Sequence, residues 1–128
     1  LLHFFLNSDA RVSLDSIDRT IENLAPFMQQ LVADNSRITL HECDSIVFDP
    51  APYAGQMDFI FIDGGHEYAI VKNDTAKAVA MLSPGGTIVW DDYVPGCPGV
   101  FDCVNEFAAE NRVRHIKDTK LAFWTHKP

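Results

Sequence analysis

Cysteines, basic residues and long hydrophobic runs are all scarce in this sequence. Its 128 residues include 3 cysteines, which cannot all pair with one another and are far fewer than a disulfide scaffold contains. We therefore expect reduced thiols and a cytoplasmic protein. No apolar run approaches the roughly 18 residues that a membrane span needs, and no signal peptide opens the chain, so a membrane is not expected as a partner.

The charge balance is acidic. There are 10 Lys and Arg residues against 18 Asp and Glu, which gives a formal net charge of −8. Such a surface repels phosphate backbones, which argues against nucleic acid as a partner. The composition, 47% hydrophobic and 22% charged, is typical of a globular protein, and the length fits a single domain over residues 1–128. The chain begins in an apolar run without an initiator Met.

Short β-rich runs alternate with helical patterns, which is typical of an α/β domain with a mostly parallel sheet. Residues 1–6 are interpreted as the end of a helix, although a buried strand would show the same apolar pattern. Further strands are predicted over residues 11–14, 37–42, 57–62 and 87–90. Helices are predicted over residues 24–32, 68–82 and 100–111, and the turn 83–86 is expected to end the second of them. Residues 113–116 and 121–125 predict a C-terminal β-hairpin.

Helical spacing also predicts which residues of the second helix face the core. The apolar positions that recur on one side of it are Val71, Ala78, Val79 and Leu82.

Acidic residues follow the predicted strands at the points where they end. They are Asp15, Asp44, Asp63 and the pair Asp91 and Asp92. The carboxyl ends of parallel strands meet at one edge of a sheet, where ligands bind, so these carboxylates are expected to converge. Carboxylate oxygens suit Mg²⁺, Ca²⁺ or Mn²⁺. The alternative for any one of them, above all Asp15 and Asp44, is a helix N-cap or a turn former.

One histidine follows a strand-end acid closely. His66 lies three residues after Asp63, within one turn of the chain. An imidazole beside a carboxylate at a sheet edge suits a general base, because its ordinary pKa lies near working pH. An ordinary surface histidine is the alternative. Cys97 is expected near the same edge as a free thiol, and no cysteine pair has the spacing of a zinc site.

Three segments together resemble the second half of a class I S-adenosylmethionine-dependent methyltransferase. They are residues 59–68 (FIFIDGGHEY), 82–86 (LSPGG) and 89–93 (VWDDY). Two branches of that family are similar: the small-molecule and sugar O-methyltransferases of antibiotic biosynthesis, and the catechol and caffeoyl-CoA O-methyltransferases. The resemblance extends from about residue 11 to the C-terminus. It implies a Rossmann-like sheet with S-adenosylmethionine as cofactor.

The resemblance also implies a metal centre. In the catechol-type enzymes an Asp after the fourth strand and an acidic pair after the fifth hold a divalent cation, for which Mg²⁺ is expected. The matching residues are Asp63, Asp91 and Asp92. Those enzymes place a catalytic Lys three residues after the first Asp, where this sequence has His66. His66 is therefore expected to be the catalytic base or a further ligand.

The cofactor site is implied only in part. Asp15 matches the acidic residue that binds the ribose hydroxyls, and Asp44 and Ser45 match the position near the adenine. The glycine-rich loop that approaches the methionine part of the cofactor has no counterpart, because residues 1–7 match the helix that follows it. The sheet is therefore expected to lack its first strand, either in a fragment of a longer protein or in a natural remnant. Such a sheet would expose strand edges and could form homo-oligomers.

Three functions stay open at this point. The first is methyl transfer from S-adenosylmethionine to a hydroxyl of a small-molecule acceptor, assisted by a divalent cation, with His66 as the base. The second is the same transfer without a metal. The third is an inactive methyltransferase-like module that binds a partner or completes an oligomer. A nucleotide-binding oxidoreductase is disfavoured because the sequence has no G-x-G-x-x-G motif.

Overall fold

The computed structural model describes residues 2–8, 11–18, 30 and 38–127. Within those residues seven strands form one sheet. The strands are β1 Leu2–Ser8, β2 Arg11–Asp18, β3 Ile38–Glu42, β4 Met57–Ile62, β5 Leu82–Trp90, β6 Arg114–His115 and β7 Ala122–Thr125. Two α-helices are α1 Tyr68–Met81 and α2 Pro98–Ala108, and a single 3₁₀ turn spans Ala51–Tyr53. No helix in this part of the chain is long and apolar enough to cross a membrane.

The strand order is β3-β2-β1-β4-β5-β7-β6. β2 and β3 are parallel to each other, as are β4 and β5, and β1 pairs antiparallel with both β2 and β4. The four strands β2, β3, β4 and β5 therefore all run in one direction. β7 pairs antiparallel with β5, and β6 with β7. The predicted Rossmann-like α/β sheet with a C-terminal antiparallel hairpin is confirmed, and its four parallel carboxyl ends share one edge.

The helix predicted over residues 1–6 is wrong. The backbone of residues 2–8 is the strand β1, in which Leu2 lies opposite Ile17 on one side and Ile62 on the other. A six-residue apolar run is too short to distinguish a helical period from a buried strand. No parallel first strand is found among the described residues. Its place between β2 and β4 is filled by β1, which runs in the opposite direction, so the strand edges expected to be exposed there are paired.

The core lies between the sheet and the two helices. Buried side chains come from β4, β5, α1 and α2, and include Ile60, Trp90, Ala78 and Val104. The indole Nε1 of Trp90 donates a hydrogen bond of 2.9 Å to the hydroxyl of Thr75 on α1. This bond satisfies the one polar atom of a side chain that is otherwise ideal for the core. It fixes α1 against the end of β5, which is where the candidate site begins.

Residues 83–86 do not form the turn that the sequence predicts. α1 ends at Met81, and β5 begins directly at Leu82 and continues through both glycines. These residues stay in the sheet because Gly85 N donates to His126 O and His126 N to Gly86 O. Gly85 has a φ of +85°, and the β4–β5 register shifts at this point, so the pair Gly85 and Gly86 marks an irregularity within a strand. Glycine and proline were misleading here because both are common at such irregularities and in turns alike.

The remaining elements follow the predictions with smaller changes. Leu82, assigned to the helix, is buried at the start of β5, while Val79 is 37% exposed and does not face the core. β4 has the predicted bounds, and the hairpin β6–β7 is confirmed. Apart from residue 30, which is helical, the predicted helix 24–32 lies outside the described residues.

Candidate active site

Three carboxylates meet where β4 and β5 end. Asp63 directly follows β4, and Asp91 and Asp92 directly follow β5. One oxygen from each lies within 4.8 Å of the other two, and all three residues are half-buried. Asp91 N donates to Ile62 O at 3.0 Å, which extends the strand pairing by one residue and holds the two loops side by side. The structure thus brings together the three residues predicted as metal ligands.

Asp92 is the most constrained of the three. Its backbone has a φ of +54°, a left-handed conformation that non-glycine residues rarely adopt. Its amide donates to Asp91 Oδ1 at 2.7 Å. Lys120 Nζ lies 2.6 Å from Asp92 Oδ1, and His66 Nε2 lies 3.0 Å from Oδ2. The hydrogen bond from Lys120 lowers the pKa of Asp92, with a smaller contribution from His66, so Asp92 is a carboxylate at neutral pH.

Asp63 has the opposite electrostatic environment. Burial raises the pKa of its carboxyl group, and the negative charges of Asp91 and Asp92 raise it further. Its charged form is therefore disfavoured in the folded chain. A cation bound among the three carboxylates would remove that penalty, since an opposite charge at a few ångströms favours ionisation.

Replacing Asp63 by asparagine is expected to stabilise the ligand-free chain, with a Tm about 3 °C higher at pH 7. The raised pKa means that the charged carboxyl of Asp63 destabilises the folded state, and this destabilisation is present at neutral pH, where the group is ionised. It disappears as pH falls toward the ordinary aspartate pKa near ~4, so the gain in Tm should shrink there too. Circular-dichroism melting curves from pH 7 downward measure this. Asp102→Asn, at an exposed position on α2, should show no gain. A lower Tm for Asp63→Asn at pH 7 would contradict the claim that the charged carboxyl of Asp63 destabilises the ligand-free fold.

His66 lies three residues after Asp63, in the loop between β4 and α1. Its side chain is 54% exposed, and its contact with Asp92 orients the imidazole. The carbonyl of His66 packs against Gly99 near the start of α2 so closely that a Cβ on Gly99 would overlap it. α2 therefore supports the loop that presents His66, and no local motif predicts this contact.

The residues predicted to bind the cofactor are placed less favourably. Asp44 Oδ1 accepts a hydrogen bond of 3.0 Å from Ile46 N, which is the turn-forming role weighed as its alternative. Ser45 hydrogen-bonds the buried carboxyl of Asp74 on α1 through its side chain. Asp15 is not at a strand end: β2 continues to Asp18, and the backbone of Asp15 lies within the sheet opposite residues of β1 and β3. The predicted end at residue 14 was too early because the polar residues after it resembled a loop.

Lys120 is the residue that the sequence did not indicate. It lies in the turn between β6 and β7, and its carbonyl accepts a hydrogen bond of 2.9 Å from Tyr93 N. Its position beside Asp92 depends on β7 pairing with β5, a contact between distant segments. No local motif could have revealed it.

The fold and this geometry agree with a family match. A family model described as a methyltransferase domain matches residues 4–93, which is more than half of the chain. The chain therefore belongs to this family, the class I S-adenosylmethionine-dependent methyltransferases.

Three solved structures share the fold. The O-methyltransferase NovP has a TM-score of 0.60 at 19% identity, covering 80% of this chain and 43% of that one. The N-methyltransferase NodS from Bradyrhizobium japonicum WM9 has a TM-score of 0.62 at 17% identity, covering 89% and 73%. The methyltransferase MycE from the mycinamycin biosynthetic pathway, in complex with Mg and SAH, has a TM-score of 0.54 at 19% identity, covering 88% and 36%.

A curated relative covers a shorter stretch. An uncharacterized protein of Acanthamoeba polyphaga mimivirus is 39% identical over 56 residues, which is 42% of this chain and 25% of that protein. The match thus spans about a quarter of the length of that relative, and the chain covers less than half of NovP and MycE.

Proposed function

We propose that this chain belongs to an enzyme that transfers a methyl group from S-adenosylmethionine to a hydroxyl of a small metabolite, assisted by a divalent cation. One observation carries the proposal: Asp63, Asp91 and Asp92 converge at the ligand-binding edge of the sheet, with His66 hydrogen-bonded to Asp92. An oxygen acceptor is favoured over nitrogen because three carboxylates suit a hard cation, and hard cations bind oxygen. The Mg bound to MycE supports this choice, although NodS acts on nitrogen.

The residues at the edge fit a divalent cation. Asp63, Asp91 and Asp92 would hold it, and such an ion would offset both causes of the raised pKa of Asp63, which are burial first and then the negative charges of Asp91 and Asp92. When bound, the ion would polarise an acceptor hydroxyl and lower its pKa. Mg²⁺ is the ion that we propose, because it is commonly held by a few carboxylates with several of its waters retained.

His66 would receive the proton of the acceptor hydroxyl. Its Nε2 lies against Asp92 Oδ2, so an Nε2–H donated to that carboxylate leaves Nδ1 with a lone pair for the acceptor. The carboxylate then stabilises the imidazolium that forms. When bound, S-adenosylmethionine would supply the methyl group, with the sulfur–methyl bond breaking as the carbon–oxygen bond forms, and His66 would keep the proton. Holding the acceptor near the methyl group is the larger part of the catalysis that the site provides.

The cofactor would lie along the same edge, toward β3. Asp44 and Ser45 follow that strand, and beside them Ile46 and Val47 are 53% and 74% exposed, which is unusual for large apolar side chains. Apolar side chains at this place suit the face of an adenine ring. Asp15 remains the residue proposed for the ribose hydroxyls.

Calorimetry and a transfer assay on the full chain test the proposal. We expect S-adenosylhomocysteine to bind, and we expect label from methyl-tritiated S-adenosylmethionine to reach a member of a panel of catechols, phenols and sugars. Adding Mg²⁺ should raise turnover, and excess chelator should abolish the gain. Asp91→Asn should lower kcat/KM by about 10²-fold or more. The matched change Asp102→Asn, on the exposed side of α2, should leave it unchanged.

A cation-free reaction is the second candidate, and one contact favours it. Lys120 Nζ, 2.6 Å from Asp92 Oδ1, already places a positive charge beside the three carboxylates. Turnover that survives both chelation and Asp91→Asn would support this candidate over the first. If S-adenosylhomocysteine does not bind and the chain forms a stable dimer, both enzymatic proposals fail and an inactive binding module is favoured.

A further inference from the structure

We propose a second cation site, made by His66, Asp92 and Cys97, that binds a soft divalent ion such as Zn²⁺. A ring nitrogen of His66, a carboxylate oxygen of Asp92 and the sulfur of Cys97 all lie within 4.8 Å of one another. The site shares Asp92 with the three carboxylates described above but differs from them in its donor set. It does not depend on methyl transfer for its existence.

The donor set selects the type of ion. Nitrogen, oxygen and sulfur in a group of three, with a position left open for water, is a typical donor set of protein-bound zinc, whereas Mg²⁺ and Ca²⁺ prefer oxygen alone. Zinc bonds to these atoms are about 2.0–2.3 Å long, which places the ligand atoms of a tetrahedral site roughly 3.5 Å apart. In the structure His66 Nε2 lies 3.0 Å from Asp92 Oδ2, and the sulfur of Cys97 lies within 4.8 Å of a ligand atom of each residue. The adjustment that a tetrahedral site needs is available to His66, whose side chain is 54% exposed.

Cys97 is held in place by the start of α2. It is the residue before that helix, and its backbone N–H donates a hydrogen bond of 2.9 Å to Val94 O in the loop that follows Asp92. Gly99, two residues later, packs against the carbonyl of His66. These two contacts bring a cysteine and a histidine that are 31 positions apart in sequence to the same carboxylate. The absence of a cysteine pair at ligand spacing therefore does not exclude a zinc site, because the ligands come from two loops that are distant in sequence.

Binding would rearrange the contacts of Asp92. Lys120 occupies Oδ1, so the ion would enter on the side of Oδ2 and replace the hydrogen bond between Oδ2 and His66 Nε2. The thiol of Cys97 would release its proton to solvent and bind as a thiolate. The ion would thereby remove His66 and Asp92 from the roles given to them in methyl transfer. Zinc is thus expected to inhibit, a consequence that rests on the proposed function, whereas the site itself does not.

Cobalt substitution tests the site directly. Co²⁺ titrated into the full chain, with a phosphine as reductant, should produce the near-ultraviolet band of sulfur-to-cobalt charge transfer at a single equivalent. Cys97→Ser should abolish the band and weaken Zn²⁺ binding, measured by competition with a chromophoric chelator, by at least ~10-fold. Cys43→Ser is the matched control: Cys43 is also partly exposed and lies outside the cluster, so that variant should keep the band. Asp63→Asn should keep it too, because Asp63 belongs only to the oxygen site.

Two results would overturn the proposal: no charge-transfer band in the unmodified chain, or a band that survives Cys97→Ser. Circular dichroism of Cys97→Ser checks that a lost band does not reflect unfolding. If Cys97→Ser proves unfolded, the band in His66→Gln decides, because an unchanged band there also contradicts the site. The optical readout needs neither cofactor nor acceptor. A chain that binds cobalt but transfers no methyl group would therefore refute the proposed function and retain the metal site.

Discussion

Replacing Gly99 by alanine is expected to destabilise the folded chain by about 3 kcal/mol. A Cβ at this position would overlap His66 O and lie 2.7 Å from Tyr68 N and 3.1 Å from Glu67 C. All three neighbours are backbone atoms, so no side-chain rotation can relieve the contact. Either α2 must move away from the sheet, or the loop between β4 and α1 must shift.

Both ways of relieving the contact are costly. Moving α2 would open the packing of Val100, Cys103 and Val104, which are at most 5% exposed. Shifting the loop would displace the start of α1 and the imidazole of His66. Alanine normally stabilises a helix relative to glycine by about 1 kcal/mol, so an observed loss would have the opposite sign to the helix propensity and could be assigned to the contact.

Urea unfolding followed by circular dichroism measures this effect. Gly96→Ala, in the loop just before α2, is the matched control, because no heavy atom lies within 4 Å of the position its Cβ would take. Its free energy of unfolding should stay within about 0.5 kcal/mol of that of the unmodified chain. If Gly99→Ala unfolded at the same urea concentration as Gly96→Ala, the close approach of α2 to the His66 loop would be disproved.

The elements that could be predicted from sequence are those whose own residues determine them. β4 has the predicted bounds, because the run from Met57 to Ile62 is apolar apart from Asp58 and ends sharply at Asp63. The C-terminal hairpin was predicted from two short β-rich runs around a turn. β1 was not, because its apolar run carries no period and its conformation depends on pairing with β2 and β4. β5 was predicted too short because Pro84 and the following glycines resemble a turn in isolation, whereas pairing with the chain after β7 keeps them in the sheet.

The candidate site likewise contains some residues whose positions could be predicted from sequence and others whose positions depend on distant contacts. The approach of Asp63 to Asp91 and Asp92 follows from one rule of topology, that adjacent parallel strands end at the same edge. Lys120 could not be placed by such a rule, and Cys97 was expected near this edge only as a free thiol, without its approach to His66. Lys120 reaches Asp92 through the pairing of β7 with β5, and Cys97 reaches His66 through the packing of α2 on a loop. Contacts of this kind depend on how whole elements pack, which the local sequence does not record.

Replacing His66 by glutamine is expected to lower the kcat of methyl transfer by about 10²- to 10⁴-fold. Glutamine can still hydrogen-bond Asp92, but it cannot accept a proton at neutral pH. The loss should fall on kcat and leave the affinity for S-adenosylhomocysteine unchanged, because we propose His66 for the acceptor side of the site and Asp44 and Ser45 for the cofactor side. Stability should change little, since the His66 side chain is 54% exposed.

Kinetics with the acceptor identified in the panel, together with calorimetry of S-adenosylhomocysteine, measure these two quantities separately. His126→Gln is the control: the backbone of His126 pairs with Gly85 and Gly86, several residues along β5 from Asp91, so kcat should not change. A His66→Gln variant with kcat within about 3-fold of the unmodified chain would remove the histidine from the reaction. The proton would then have to leave through solvent from a hydroxyl already acidified by the cation. The effect of Asp91→Asn on kcat/KM would be the remaining test of catalysis at this edge of the sheet.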